Sequence, residues 1–229
     1  RVAGRMGVPA PPAGELRTGE PCDLEPPLVI KPIDDGSTVD VFICRSADEV
    51  ADARRRIHAS RPRAMAERLI AGREITVGWV LGRVLPVIEI VPAEGFYDYD
   101  AKYLRNDTEY VLDPHRAESW ASMRSRRAPL PESVVARASE YAATLLRSLG
   151  ARHLARVDFM ADDAGPWLLE VNTMPGFTDR SLVPKAAAHA GIDFPSLCPV
   201  RVVGAGPADR SAARGSSQKE RPREGPRPR

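Results

Sequence analysis

At 229 residues, 43% hydrophobic and 28% charged, the chain can build one large or two small globular domains and has the balance of a folded protein. No apolar run approaches the ~20 residues of a membrane span. The cysteines (Cys22, Cys44, Cys198) share no metal-ligand spacing, which excludes a disulfide framework and a zinc site. The net charge of +2 is unevenly spread: residues 204–229 hold seven basic and three acidic side chains, so the body is slightly acidic and has no nucleic-acid footprint. Only Lys31, Lys102, Lys185 and Lys219 are lysines, which singles out each one in an arginine-rich chain. The opening Arg1-Val2-Ala3-Gly4 shows no initiator Met and no secretory pattern. The expectations are a cytoplasmic protein and either a coding region that extends upstream or a truncated homologue.

Residues 1–27 are rich in Pro and Gly and read as an entry segment. Leu28-Val29-Ile30 and Val39 to Ile43 read as strands around a polar turn at residues 33–38. Ser46 and Glu49 form a capping pair before a helix running to about His58. Ala64 to Leu69 is a third strand. Glu74 to Val80 and Val84 to Val91 flank a turn at Leu81-Gly82, a hairpin. Residues 92–130 are mostly polar and too long for an ordinary connection, which marks a functional loop. Val134, Ala138, Tyr141, Leu145 and Leu149 recur at helical spacing, with Gly150 placed to end the helix. Leu154 to Met160 and Trp167 to Asn172 form a second hairpin, followed by a helix from about Leu182 to Ala190. The tail from Gly204 reads as disordered.

The second hairpin carries the chemistry. Strand side chains alternate, so Arg156 and Asp158 share one face while Val157 and Phe159 take the other. On the partner strand Glu170 and Asn172 share a face, opposed by Leu169 and Val171. Two carboxylates and an amide are hard oxygen donors suited to Mg²⁺, and an arginine beside them matches phosphate oxygens. The alternative is a solvated sheet face with cross-strand ion pairs. The loop Asn172-Thr173-Met174-Pro175-Gly176 can present backbone N–H groups to an oxyanion.

Several ordered runs carry a family likeness: Lys31-Pro32 with Gly36-Ser37, Glu67 to Glu74, Phe96 to Tyr103, Arg156 to Phe159, Leu168 to Gly176, and Ser181-Leu182-Val183-Pro184. Over roughly residues 1–200 the chain resembles D-alanine–D-alanine ligases of the ATP-grasp superfamily. The resemblance implies an α+β ATP-grasp fold and ATP-dependent joining of two D-alanines through an acyl phosphate, for a peptidoglycan precursor. It also implies residue roles. Lys31, Glu67, Ile70 (through its backbone), Glu74 and Lys102 bind ATP. Asp158, Glu170 and Asn172 bind two Mg²⁺, with Mn²⁺ as a substitute. Arg156 and the Gly176 amide stabilise the oxyanion, Tyr103 reaches Ser37, and Ser181 with the Leu182 amide holds the second substrate's carboxylate. D-alanine and ATP are then the partners; nucleic acid and membrane are not, and a homodimer is compatible.

The expected division is residues 1–92, 93–203 and a basic tail at 204–229. Two features depart from the family pattern. Asp40 stands where a small residue usually follows the phosphate loop, putting a carboxylate near an anion site. Nothing before Lys31 supplies the usual N-terminal domain, which holds the first D-alanine. An inactive ATP-grasp homologue and another carboxylate–amine ligase are the alternative readings.

Overall fold

The computed structural model describes residues 2–34, 39–93, 107–125 and 127–204. Ser37, Lys102 and Tyr103, and the tail beyond residue 204, lie outside these residues.

The first sheet has four strands in the order β1-β4-β2-β3: β1 (Ala13–Arg17), β2 (Leu28–Lys31), β3 (Phe42–Cys44) and β4 (Arg63–Arg68). All its pairings are antiparallel. A short helix, α1 (Val2–Arg5), precedes it, and α2 (Ala47–His58) follows β3. Helix α2 starts where Ser46 Oγ accepts the Glu49 N–H at 3.3 Å, the expected cap. It lays Ala53 and Ile57 on Leu16, Leu28, Ile30, Ala64 and Ala66, which close this core. Alternation along β4 and β2 then sends Glu67 and Lys31 to the face opposite α2.

The second sheet has the order β7-β6-β5-β8-β9, built from β5 (Arg73–Val80), β6 (Arg83–Val91), β7 (Glu109–Leu112), β8 (Leu154–Asp162) and β9 (Gly165–Asn172). The hairpin grouped from sequence with residues 1–92 is hydrogen-bonded into this sheet, so sheet membership changes at residues 69–72. One face, with Ile75, Val77, Trp79, Val157 and Phe159, packs on Val134, Ala138, Ala142 and Leu145 of α3 (Glu132–Ser148). Helix α3 ends as expected at Gly150, whose φ of +69° suits glycine. The Gly150 and Ala151 N–H groups donate back to the Arg147 and Leu146 carbonyls. The other face, with Val80, Leu85 and Ile88, packs on Val183, Ala186 and Ala187 of α4 (Leu182–His189) and on Leu197 of α5 (Phe194–Gly204).

Three local expectations are corrected. The strand expected from Val39 starts at Phe42, because Asp40 takes a left-handed φ of +57° that breaks extended backbone. A register shift lies between Asp158 and Phe159 in the β8–β9 pairing, where Glu170 and then Leu168 are their partners. Leu169 is thus the extra bulge residue, and Leu168 joins Val171 against the α3 core instead. Finally, the long polar segment contains β7 and a 3₁₀ turn at Ala117–Trp120.

Candidate functional site

On the first sheet, Lys31 Nζ lies 2.5 Å from Glu67 Oε1, with Glu67 almost wholly buried. The pair is diagonal across β2 and β4, where Lys31 faces Met65 and Glu67 faces Val29. Neither side chain is the solvated strand charge that isolated Lys and Glu residues usually are. Beyond β4 the chain runs through Leu69, Ile70 and Ala71 to Gly72. Among the described residues nothing pairs with the backbone N–H or C=O of Ile70, which leaves both groups available to a ligand.

Glu74 is the second residue of β5, just after Arg73, and alternation sends it to the same face as Thr76. Thr76 Oγ donates to Asp158 Oδ1 at 2.6 Å, so this is also the Asp158 face. Asp158 is directly paired with Glu170, and Arg156 with Asn172. The four side chains that alternation assigned to one face are therefore together. Arg156 Nε donates to Asp158 Oδ1 at 2.9 Å and its Nη2 to Oδ2 at 2.7 Å, while Nη2 is 3.4 Å from Glu170 Oε1. Burial pushes the Asp158 carboxyl up, but the Arg156 charge and the hydrogen bonds from Arg156 and Thr76 outweigh it. The net result holds Asp158 below its ordinary range. Thr76 carried no signal in the sequence beyond its place in an apolar strand, and its role appears only with the β5–β8 pairing.

These donors fit a hard divalent cation. A guanidinium already bridges Asp158 and Glu170, so the spot attracts positive charge, and Asn172 Oδ1 keeps a lone pair after accepting the Met174 N–H at 2.9 Å. Among the described residues no three His, Cys, Asp or Glu side chains converge on a metal position. Two carboxylates and an amide are the sparse set that Mg²⁺ accepts when substrate phosphates and water complete its shell.

After Asn172 the chain turns towards α4. Gly176 lies close to Ser181: a Cβ there would come within 3.3 Å of Ser181 Oγ. Ser181 precedes α4 but does not cap it, because its hydroxyl accepts the Thr178 N–H at 3.0 Å. No side-chain acceptor from Ser181 thus covers the first N–H groups of the helix, Leu182 included. An open cavity of about 530 Å³ beside α4 is lined by Tyr110, Met123, Lys185 and Phe194 among others, not by the carboxylate cluster. His189 ends α4 at the surface, 2.9 Å from Asp113.

Two antiparallel sheets, each packed on helices and each holding a cluster of charged side chains on one face, make up an α+β fold of the ATP-grasp class. The chain matches the family described as D-ala D-ala ligase C-terminus over residues 17–201, and it belongs to that family. It is 44% identical over 193 residues to the D-alanine–D-alanine ligase of Acidiphilium cryptum, which covers 82% of this chain and 57% of that relative. The D-alanine–D-alanine ligase of Bacillus anthracis superposes with a TM-score of 0.71 at 31% identity, covering 88% of this chain and 64% of that one. The same Bacillus enzyme complexed with ATP gives a TM-score of 0.67 at 30% identity, over 87% of this chain and 62% of that one. The chain thus spans less than two thirds of the relatives it matches. No helix among the described residues is long and apolar enough to cross a membrane.

Proposed function

We propose that this chain is the nucleotide-binding and catalytic part of a cytoplasmic D-alanine–D-alanine ligase that serves peptidoglycan precursor synthesis. The observation that carries the reading is the charged cluster across β8 and β9: Asp158 opposite Glu170, Arg156 opposite Asn172, with Thr76 behind. In this reading Lys31 binds an ATP phosphate, Glu67 and the Ile70 backbone hold adenine, and Glu74 binds the ribose hydroxyls. Lys102 and Tyr103 join from the segment that carries them. Asp158, Glu170 and Asn172 hold Mg²⁺, which neutralises phosphate charge when bound.

The carboxylate oxygen of one D-alanine attacks the γ-phosphorus of ATP, forming an acyl phosphate as the bond to ADP breaks. The amine of the second D-alanine then attacks the acyl carbon and loses a proton, and phosphate leaves. Charge builds on the carbonyl oxygen during that attack. Arg156 and the Gly176 N–H are the donors that meet it. Ser181 and the Leu182 N–H orient the second carboxylate, because the free end of α4 favours an anion.

Purified chain should release ADP in a D-alanine-dependent manner and yield the dipeptide by chromatography. ATP binding with no dipeptide at saturating D-alanine would refute an active ligase and leave a nucleotide-binding remnant. ADP release with other acids or amines only would replace the substrate assignment.

A further inference from the structure

Glu89 is a fully buried carboxylate in the otherwise apolar run of β6 from Val84 to Val91, on the α3 side of the second sheet. Nothing in the chemistry above uses it. Its oxygens accept both arms of Arg73, Nε at 2.8 Å and Nη2 at 2.5 Å, and Arg127 Nη1 stands at 3.5 Å. The third nitrogen of Arg73 donates to the Ala128 carbonyl at 2.8 Å, and its guanidinium lies over the Trp120 ring, 5.2 Å from the centroid. Trp120 Nε1 donates in turn to the Pro114 carbonyl, which also accepts the Leu130 N–H. One guanidinium thus joins the start of β5, the middle of β6 and the segment leading into α3.

Burying an ion pair is seldom a net gain over an apolar side chain, so its use is better sought in position than in stability. Arg73 and Glu74 are consecutive in an extended strand, and their side chains leave by opposite faces. Clamping Arg73 at Glu89 and Ala128 sets the position from which Glu74 projects. On the β8 side there is no slack, since a Cβ on Gly72 would lie 2.4 Å from the Ala161 carbonyl oxygen. We propose that Glu89, acting through Arg73, is a positioning residue for Glu74 and so for recognition of the nucleotide's ribose. The inference rests on the proposed assignment of Glu74 to the ribose hydroxyls.

The test is calorimetric binding of ATP and of 2′,3′-dideoxy-ATP to the full chain, its Glu89→Gln variant and its Arg73→Lys variant, each confirmed folded by circular dichroism. The parent should prefer ATP by about tenfold, the worth of a hydrogen-bonded charge. Glu89→Gln should erase most of that preference while changing dideoxy-ATP affinity less than about twofold, and Arg73→Lys should do the same. A merely structural residue would weaken both nucleotides alike, and that result overturns the inference, as does a parent-like preference in either folded variant. Should Glu89→Gln fail to fold, Arg73→Lys decides alone. A parent that binds both nucleotides equally removes the Glu74 assignment itself, an outcome visible before any variant is measured.

Discussion

Gly72 stands at the junction of the two sheets, and replacing it with alanine tests how tightly that junction is built. The added Cβ would sit 2.4 Å from the Ala161 oxygen and 2.9 Å from its carbon. Ordinary contact begins near 3.4 Å, so the methyl group needs about 1 Å of relief. The obstacle is backbone, in a strand already paired to Arg73 at that residue, so it cannot swing away like a side chain. Overpacking of this kind costs about 1–3 kcal/mol. For a chain of this size that lowers Tm by about 2–12 °C. The displacement also reaches Glu74, two residues on, and an ångström of misplacement is worth up to about a hundredfold in a site. We expect Gly72→Ala to bind ATP at least fivefold more weakly in calorimetry. Gly150→Ala is the control: its φ of +69° strains an alanine, but a Cβ there meets nothing within 4 Å. It should lose stability and keep its nucleotide affinity. If Gly72→Ala melts within 1 °C of the parent and binds ATP equally, the close-approach reasoning is wrong.

Asp158→Asn removes the charge that faces Arg156 and leaves a half-paired guanidinium against Glu170. It should cost about 3 kcal/mol in thermal or denaturant unfolding, the lower end for a broken buried pair, and abolish ADP release. Burial pushes Glu109 up, but the Arg124 and Ser125 N–H groups outweigh it and hold its carboxyl below the ordinary 4.5. A depressed folded pKa adds stability that is fully present above the unfolded value and lost as pH falls through the folded one. Melting temperature of the parent should therefore fall more steeply below pH 4.5 than that of Glu109→Gln, and parallel curves would exclude the contact. Asp40 is held by Arg61, Nη2 to Oδ2 at 3.0 Å, which removes the uncompensated charge expected beside the phosphate loop. Arg61→Ala should weaken ATP binding severalfold, and adding Asp40→Gly should restore it; calorimetry on the single and double variants decides.

What sequence made legible was whatever depends on local chemistry and alternation. The Ser46 cap, the Gly150 stop and the polar face of the β8–β9 hairpin each follow from one segment or two adjacent ones. Features that depend on a distant partner were not legible. Strand β1 buries one side chain of five and is a strand because β4 pairs with it. Strand β7 is four residues inside a polar stretch, and only Val111 is fully covered. The bulge at Leu169 depends on how β9 meets β8, so strict alternation misplaced one leucine. Glu89 left a trace that could have been read: a lone carboxylate amid Val87, Ile88, Ile90 and Val91 needs a buried cation from elsewhere in the chain. Its partner Arg73 lies sixteen residues away, on the neighbouring strand.

Arg156 is asked to do two things that exclude each other. In the free chain its guanidinium is the counter-charge for Asp158 and Glu170, which without it would repel across a direct strand pair. In the proposed reaction it must instead face the developing oxyanion. Both roles are consistent if the two carboxylates accept a different cation before Arg156 turns to substrate, since a guanidinium released from one anionic pair is drawn to the next anion available. Arg156→Ala separates the roles. With the internal cation removed, Asp158 and Glu170 should take up Mg²⁺ without nucleotide, and millimolar Mg²⁺ alone should raise the variant's Tm by several degrees. The parent should show almost no shift under the same conditions, because Arg156 already fills the electrostatic demand. Equal responses from the two chains would mean that Arg156 and the metal do not compete for the same carboxylates.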